Sequence, residues 1–192
     1  LSASSILSLS VVGLILAAAL AATHYLLAPG SSRKTRVIFG WLVFDALIHI
    51  FLEGTFVYYS VDGRTVDSSD GPGAALWKEY ALADKRWGFA DPTVVALEIL
   101  TVAGGAPLAL YILVLLRRET RNSTKKNSTA RYFWTIVLSV CELYGGWMTF
   151  VPEWLAGSPY LDTSSWLYVY VYLFFMNFVW VVVPVWLLLD SY

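Results

Sequence analysis

Five apolar runs of about twenty residues or more alternate with polar connections along this chain. They fall at 5–27, 37–60, 93–116, 132–151 and 166–189. A bilayer-crossing helix needs about 20 apolar residues. None of the runs carries the polar face that a helix on the surface of a soluble core would show. The pattern predicts an all-α, polytopic membrane protein: a five-transmembrane-helix bundle forming a single domain over residues 1–192. Pro107, after "AGGA", and Pro184 lie inside the third and fifth runs and are expected to kink them, opening room between helices.

One connection, 61–92, is long. It starts with "DGRTVDSSDGPG", a turn-rich stretch expected to be mobile. It continues as "ALWKEYALADKRW", which reads as a short amphipathic helix. Trp77, Tyr80 and Trp87 suit a membrane interface, so the segment reads as an interfacial anchor; the functional alternative is a lid over a cavity mouth.

Composition agrees. The chain is 58% hydrophobic and 16% aromatic, and only 14% charged, where a soluble domain carries about 25%; its mean hydropathy is +0.62. A net charge of −1 gives no reason to expect nucleic acid as a partner. The single cysteine, Cys141, lies in the fourth run, so no intrachain disulfide is possible. The first run exceeds a signal peptide's apolar region of about 7–15 residues and lacks a basic stretch before it, so it is read as a retained span. With no initiating methionine and an end just past the last run, both termini are expected to be trimmed.

Basic residues orient the spans. Arg33, Lys34, Arg36, Arg117, Arg118, Arg121, Lys125, Lys126 and Arg131 occupy the connections after spans one and three, leaving Arg64, Lys78, Lys85 and Arg86 on the other side. The expected topology has the N-terminus and loop 61–92 lumenal and the C-terminus cytosolic. The glycosylation sequons at Asn122 and Asn127 would then face the cytosol and stay unused.

Asp45, His49 and Glu53 lie at four-residue intervals in span two, Glu98 in span three and Glu142 in span four. Each charge near the bilayer centre costs about 2.5–3.5 kcal/mol, so these groups should face inward, pair or share protons. At about 1.5 Å per helical residue, Glu98 lies about 8 Å from the lumenal side, Glu53 about 10 Å, Glu142 about 14 Å, and His49 and Asn177 about 17 Å. They fall in one slab although their helices alternate in direction. Thr101, one turn after Glu98, and Trp180, one turn after Asn177, would face the same pocket.

A metal site is not expected, because membrane di-iron enzymes need many histidines and only His24 and His49 are present. His24, beside Tyr25 at the end of span one, reads as interfacial. No nucleophile elbow or phosphate loop occurs. A histidine and carboxylates in an apolar cavity can hold different protonation states, giving a proton donor and acceptor without a cofactor. Trp180 offers a π-face to a carbocation, and the substrate should be lipidic. The plain alternative is a bundle whose polar groups only join helices.

At "HIFLEG", "LWKEYALADKRW", "ALEILT" followed by "APL", and "FFMNFVWVVVP", the chain resembles the emopamil-binding protein family of the EXPERA group, over about residues 41–190. The resemblance implies a five-helix bundle of the endoplasmic reticulum membrane and a sterol Δ8–Δ7 isomerase. That reaction protonates carbon 9, leaves a cation at carbon 8 and removes a proton from carbon 7. It implies His49, Glu53 and Glu98 as catalytic residues, with Thr101, Asn177 and Trp180 as functional positions. Asp45, Glu142, Trp77 and Tyr80 are further candidates for contact with substrate. The implied partners are a sterol, cationic amphiphilic amines and the bilayer, with a homodimer left open. Asp45, Glu142 and Ala106 depart from the family pattern, and the two extra acids bear on which substrate the site takes. The alternatives are a membrane terpenoid cyclase on the same scaffold and a non-catalytic sterol- or amine-binding protein.

Overall fold

The computed structural model describes residues 2–121 and 125–192. The sequon at Asn122 and the side chain of Asn127 lie outside the described residues. In chain order the helices are α1 (Ala3–Leu26), α2 (Arg33–Tyr58), α3 (Pro72–Ala81), α4 (Arg86–Phe89), α5 (Pro92–Arg121), α6 (Ser128–Leu155) and α7 (Leu167–Ser191). Among the described residues the only extended pairing is an isolated bridge between Asp84 and Leu161. Helices α1, α2, α5, α6 and α7 are long and apolar enough to cross a membrane.

Hydropathy alone placed α2 and α6 too short at their starts, because side-chain caps and polar end turns extend a helix past its apolar run. Ser2 accepts from the Ser5 N–H and Ser32 from the Thr35 N–H. Asp91 accepts from the N–H groups of Thr93 and Val94, with Pro92 at the first helical position.

Helix α1 packs on α2, α2 on α5, α5 on α6 and α6 on α7. Helix α7 returns to α2 through Trp180, whose ring lies 5.4 Å from Trp41 and 5.9 Å from Phe44. Two apolar clusters sit end to end along α2. One joins Ile38, Phe39, Leu42 and Ala46 to Ile112, Leu138 and Leu187. The other joins Ile48, Leu52 and Phe56 to Val66, Trp77, Trp87 and Val94. Asp45 and His49 fall at their junction.

Three stretches wind as π-helix: Ile48–Glu53 in α2, Thr101–Gly105 in α5 and Leu167–Phe175 in α7. The N–H of Gly54 reaches the carbonyl of His49, and that of Ala106 the carbonyl of Thr101. The π-turn of α5 ends just before Pro107, so the expected disturbance there takes the form of a widened turn within a continuous helix. Such turns often mark functional sites.

Loop 61–92 forms a packed roof over one end of the bundle. Trp77 and Trp87 stack at 4.7 Å with planes 3° apart, and both meet Phe56. They are 7% and 6% exposed, so the interfacial-anchor expectation gives way to the covering role. The Trp77 indole N–H donates to the Leu52 carbonyl, an anchor inside the bundle rather than at a headgroup layer. The "DGRTVDSSDGPG" stretch is held down too: Thr65 and Ser68 bond each other, and Val66 is fully buried. A Cβ on Gly88 would sit 2.7 Å from both carboxyl oxygens of Asp67, so glycine lets α4 press on this turn.

Glu79 pins three elements together. Its carboxylate accepts from Ser4 (2.6 Å) and Ser5 (2.6 Å) of α1 and from Tyr172 (3.0 Å) of α7. Burial alone would raise its pKa, but the hydroxyl hydrogen bonds outweigh burial and hold it below the ordinary 4.5. A lowered folded-state pKa gives stability that is present above about pH 4.5 and is lost as pH falls through the lowered value. The thermal midpoint in detergent is therefore expected to fall on acidification below that pH, and to fall less in Glu79→Gln. Equal slopes in the two proteins would contradict this.

Candidate active site

The π-turn of α2 presents His49 and Glu53 to the bundle interior, with Asp45 one turn earlier. His49 Nδ1 lies 2.5 Å from Glu53 Oε2, and Nε2 lies 3.1 Å from Asp45 Oδ1. The imidazole, 2% exposed, is thus bracketed by two carboxyl groups. Helix α5 faces it with its own π-turn: a Cβ on Gly105 would lie 3.7 Å from the His49 ring. One turn before, Glu98 is buried and close enough to Glu53 to interact directly, and its Oε2 has no hydrogen-bond partner.

Trp180 of α7 donates its indole N–H to Asp45 Oδ1 at 2.8 Å. The sequence suggested only a π-face here; the structure adds a hydrogen bond that orients Asp45. Glu142 of α6 approaches the same cluster, and one ligand-type atom from each of Asp45, His49 and Glu142 lies within 4.8 Å of the others. A metal site was not expected from so few histidines, although aspartate, histidine and glutamate are all ligand types; the fold brings three of them together.

Asp45, His49, Glu53, Glu98, Glu142 and Trp180 therefore converge from four helices. Thr101 and Asn177, implied above as functional positions, donate to groups other than these carboxylates. The Thr101 hydroxyl donates to the Leu97 carbonyl. Asn177 Nδ2 donates to the Tyr80 hydroxyl and to the carbonyls of Tyr172 and Leu173, which ties α7 to the roof. Burial, foremost, pushes the Tyr80 phenol above its ordinary pKa, which keeps it a neutral acceptor for this bond.

All of these groups except Asp45 border a cavity of about 1900 Å³ with a largely apolar lining. His49, Glu53, Glu98, Thr101, Glu142, Asn177 and Trp180 all contribute to its wall, and Trp77, Glu79 and Tyr80 close the roofed end. A drug-sized ligand needs about 300–1,000 Å³, so a rigid polycyclic lipid fits. Sequence reasoning missed Glu79 and Tyr172 as part of this wall. A lone acid in an amphipathic helix and a tyrosine in an aromatic run gave no signal.

The arrangement defines a class: a multi-pass membrane protein with carboxyl groups and an imidazole gathered inside the bundle against an apolar chamber. Residues 72–191 match the EXPERA (EXPanded EBP superfamily) family, and the chain belongs to it. It is 30% identical over 151 residues to the 3-beta-hydroxysteroid-Delta(8),Delta(7)-isomerase of Cavia porcellus, covering 79% of this chain and 61% of that protein. It is 29% identical over 153 residues to a probable enzyme of the same name from Arabidopsis thaliana, covering 80% and 63%. It is 28% identical over 153 residues to protoglabretal synthase of Citrus sinensis, covering 80% and 67%. The chain thus spans about three-fifths of the length of the isomerases it matches.

Proposed function

We propose that this protein is a sterol Δ8–Δ7 isomerase of the endoplasmic reticulum membrane. The observation that carries the reading is the bracketed imidazole of His49, with Glu98 beside Glu53, on the wall of a roofed apolar cavity. The isomerases among its relatives support the substrate class.

A carboxyl O–H of Glu98 or Glu53 adds its proton to carbon 9 of the 8,9 double bond. Those π electrons form the new C–H bond and leave a cation at carbon 8. The C7–H bond then breaks: its electrons form the 7,8 double bond and its proton passes to the His49–Glu53 pair. The proton balance is zero, so no cofactor is consumed. The apolar wall excludes water that would trap the cation, and the aromatic face of Trp180 stabilises it. Cationic amphiphilic amines would bind as mimics of that cation. The N-terminus and roof are lumenal in this reading.

Purified protein given a Δ8-sterol, with product analysis by chromatography and mass spectrometry, is expected to yield the Δ7 isomer. Folded protein that yields none would refute the reading. The added acids Asp45 and Glu142 favour a second one, a terpenoid-modifying enzyme on the same scaffold, since similar plant proteins are named isomeliandiol synthase and protoglabretal synthase. Conversion of a triterpenoid or prenylated epoxide in place of the Δ8-sterol would select it.

A further inference from the structure

On the side of His49 facing away from Glu53, four polar atoms lack any hydrogen-bond partner: Asp45 Oδ2, His49 Nε2 and both carboxyl oxygens of Glu142. Asp45 is 0% exposed and His49 2%. His49 Nε2 is 3.1 Å from Asp45 Oδ1, yet it is not aligned for a hydrogen bond with it. That oxygen already accepts from Trp180. With the Nδ1 proton given to Glu53 and both acids ionised, Nε2 presents a lone pair and all four atoms are acceptors; a proton shared between Asp45 and Glu142 is the other way to meet them. Buried acceptors left unmet are costly, and native structures keep few of them.

A substrate group does not reach these atoms. Asp45 does not line the cavity, and the Glu142 oxygens are closed off although the residue itself borders it. What fits is a small cation lodged among the three side chains. We propose that Asp45, His49 and Glu142 form a site for a divalent transition-metal ion of the zinc class. Glu53, bonded to the opposite ring nitrogen, would be the outer partner that fixes the imidazole.

One imidazole nitrogen and two carboxylates are a donor set that zinc accepts. Zinc–ligand distances of about 2.0–2.2 Å put neighbouring ligand atoms ~3.4 Å apart, so the side chains close in by about an ångström from their present 4.8 Å limit. Two charges on the ion match two carboxylates, removing the cost of burying them unpaired. His49 and Glu142 border the cavity, which supplies the entry path. The site shares His49 with the isomerase reading, and zinc content tests it without reference to turnover.

The test uses the whole chain in detergent, stripped with chelator and dialysed against zinc, with zinc counted by elemental analysis. One zinc per chain is expected. Asp45→Asn and Glu142→Gln should each weaken binding at least tenfold, and Glu53→Gln by about 10–100-fold. Cobalt(II) should bring visible ligand-field absorption that either ligand variant loses. Should one variant fail to fold, judged by circular dichroism, the other decides. Wild-type zinc content no higher than that of the Asp45→Asn/Glu142→Gln double variant would overturn the proposal; protons shared between the carboxyl groups would then be what meets the four acceptors.

Discussion

Glu98→Gln is expected to lower sterol isomerisation by about 10²–10⁴-fold, the range a positioned proton donor or acceptor contributes. Glutamine matches glutamate in size and fills the same buried space on α5, so the bundle should keep its thermal midpoint. What it removes is the carboxyl group beside Glu53, one of the two proton carriers named for the proposed first step. The loss should therefore appear in kcat, with KM for the sterol changed only a few-fold. A variant that turns over within threefold of wild type would remove Glu98 from the chemistry. One that loses binding and folding together would give it a structural role instead.

Asp84→Ala is expected to destabilise the protein by about 3–5 kcal/mol, the effect of removing one partner from a buried ion pair. Asp84 is 0% exposed and meets Arg86 at Nε (2.9 Å) and Nη2 (2.6 Å), while the Arg86 backbone N–H donates to it as well. Arg86, 4% exposed, also donates through Nη1 to the Thr149 carbonyl of α6 at 2.6 Å. Burial alone would lower the arginine's pKa, but its bonds to Asp84 keep it above the ordinary value; a guanidinium titrates so far above neutral pH that it stays charged after the aspartate is gone. Glu153, 3.9 Å away, offers only partial compensation. The consequence should be local first: the roof carrying Trp77, Trp87 and Tyr80 loosens from α6 before the spanning helices separate. Thermal unfolding in detergent, with hydrogen exchange resolved by segment, measures both effects. A loss below about 1 kcal/mol would show that the roof is held by its aromatic stack and not by this pair.

The spans were legible because membrane crossing imposes a composition that few other folds tolerate. Convergence of Asp45, His49, Glu53, Glu98 and Glu142 was legible for a related reason: charge inside a bilayer has to find company, and helical depth says where. The π-turns at Ile48–Glu53 and Thr101–Gly105 were not, because a one-residue change in winding leaves the apolar pattern nearly intact. The burial of Trp77 and Trp87 was hidden by chemistry shared between two settings. An amphipathic aromatic helix looks the same whether its apolar face meets lipid or the end of a bundle. Asn177 illustrates a further limit: spacing placed it on the cavity wall, but only the fold shows that its amide is committed to Tyr80 and to its own helix.

In the proposed reaction, buried carboxyl groups and an imidazole exchange protons with a lipid double bond. Turnover of a Δ8-sterol in deuterium oxide tests it most directly. Deuterium should appear at carbon 9 of the Δ7 product, and Glu98→Gln should slow product and label together by the factor given above. Conversion with no deuterium at carbon 9 would contradict the account, and so would full conversion by Glu98→Gln.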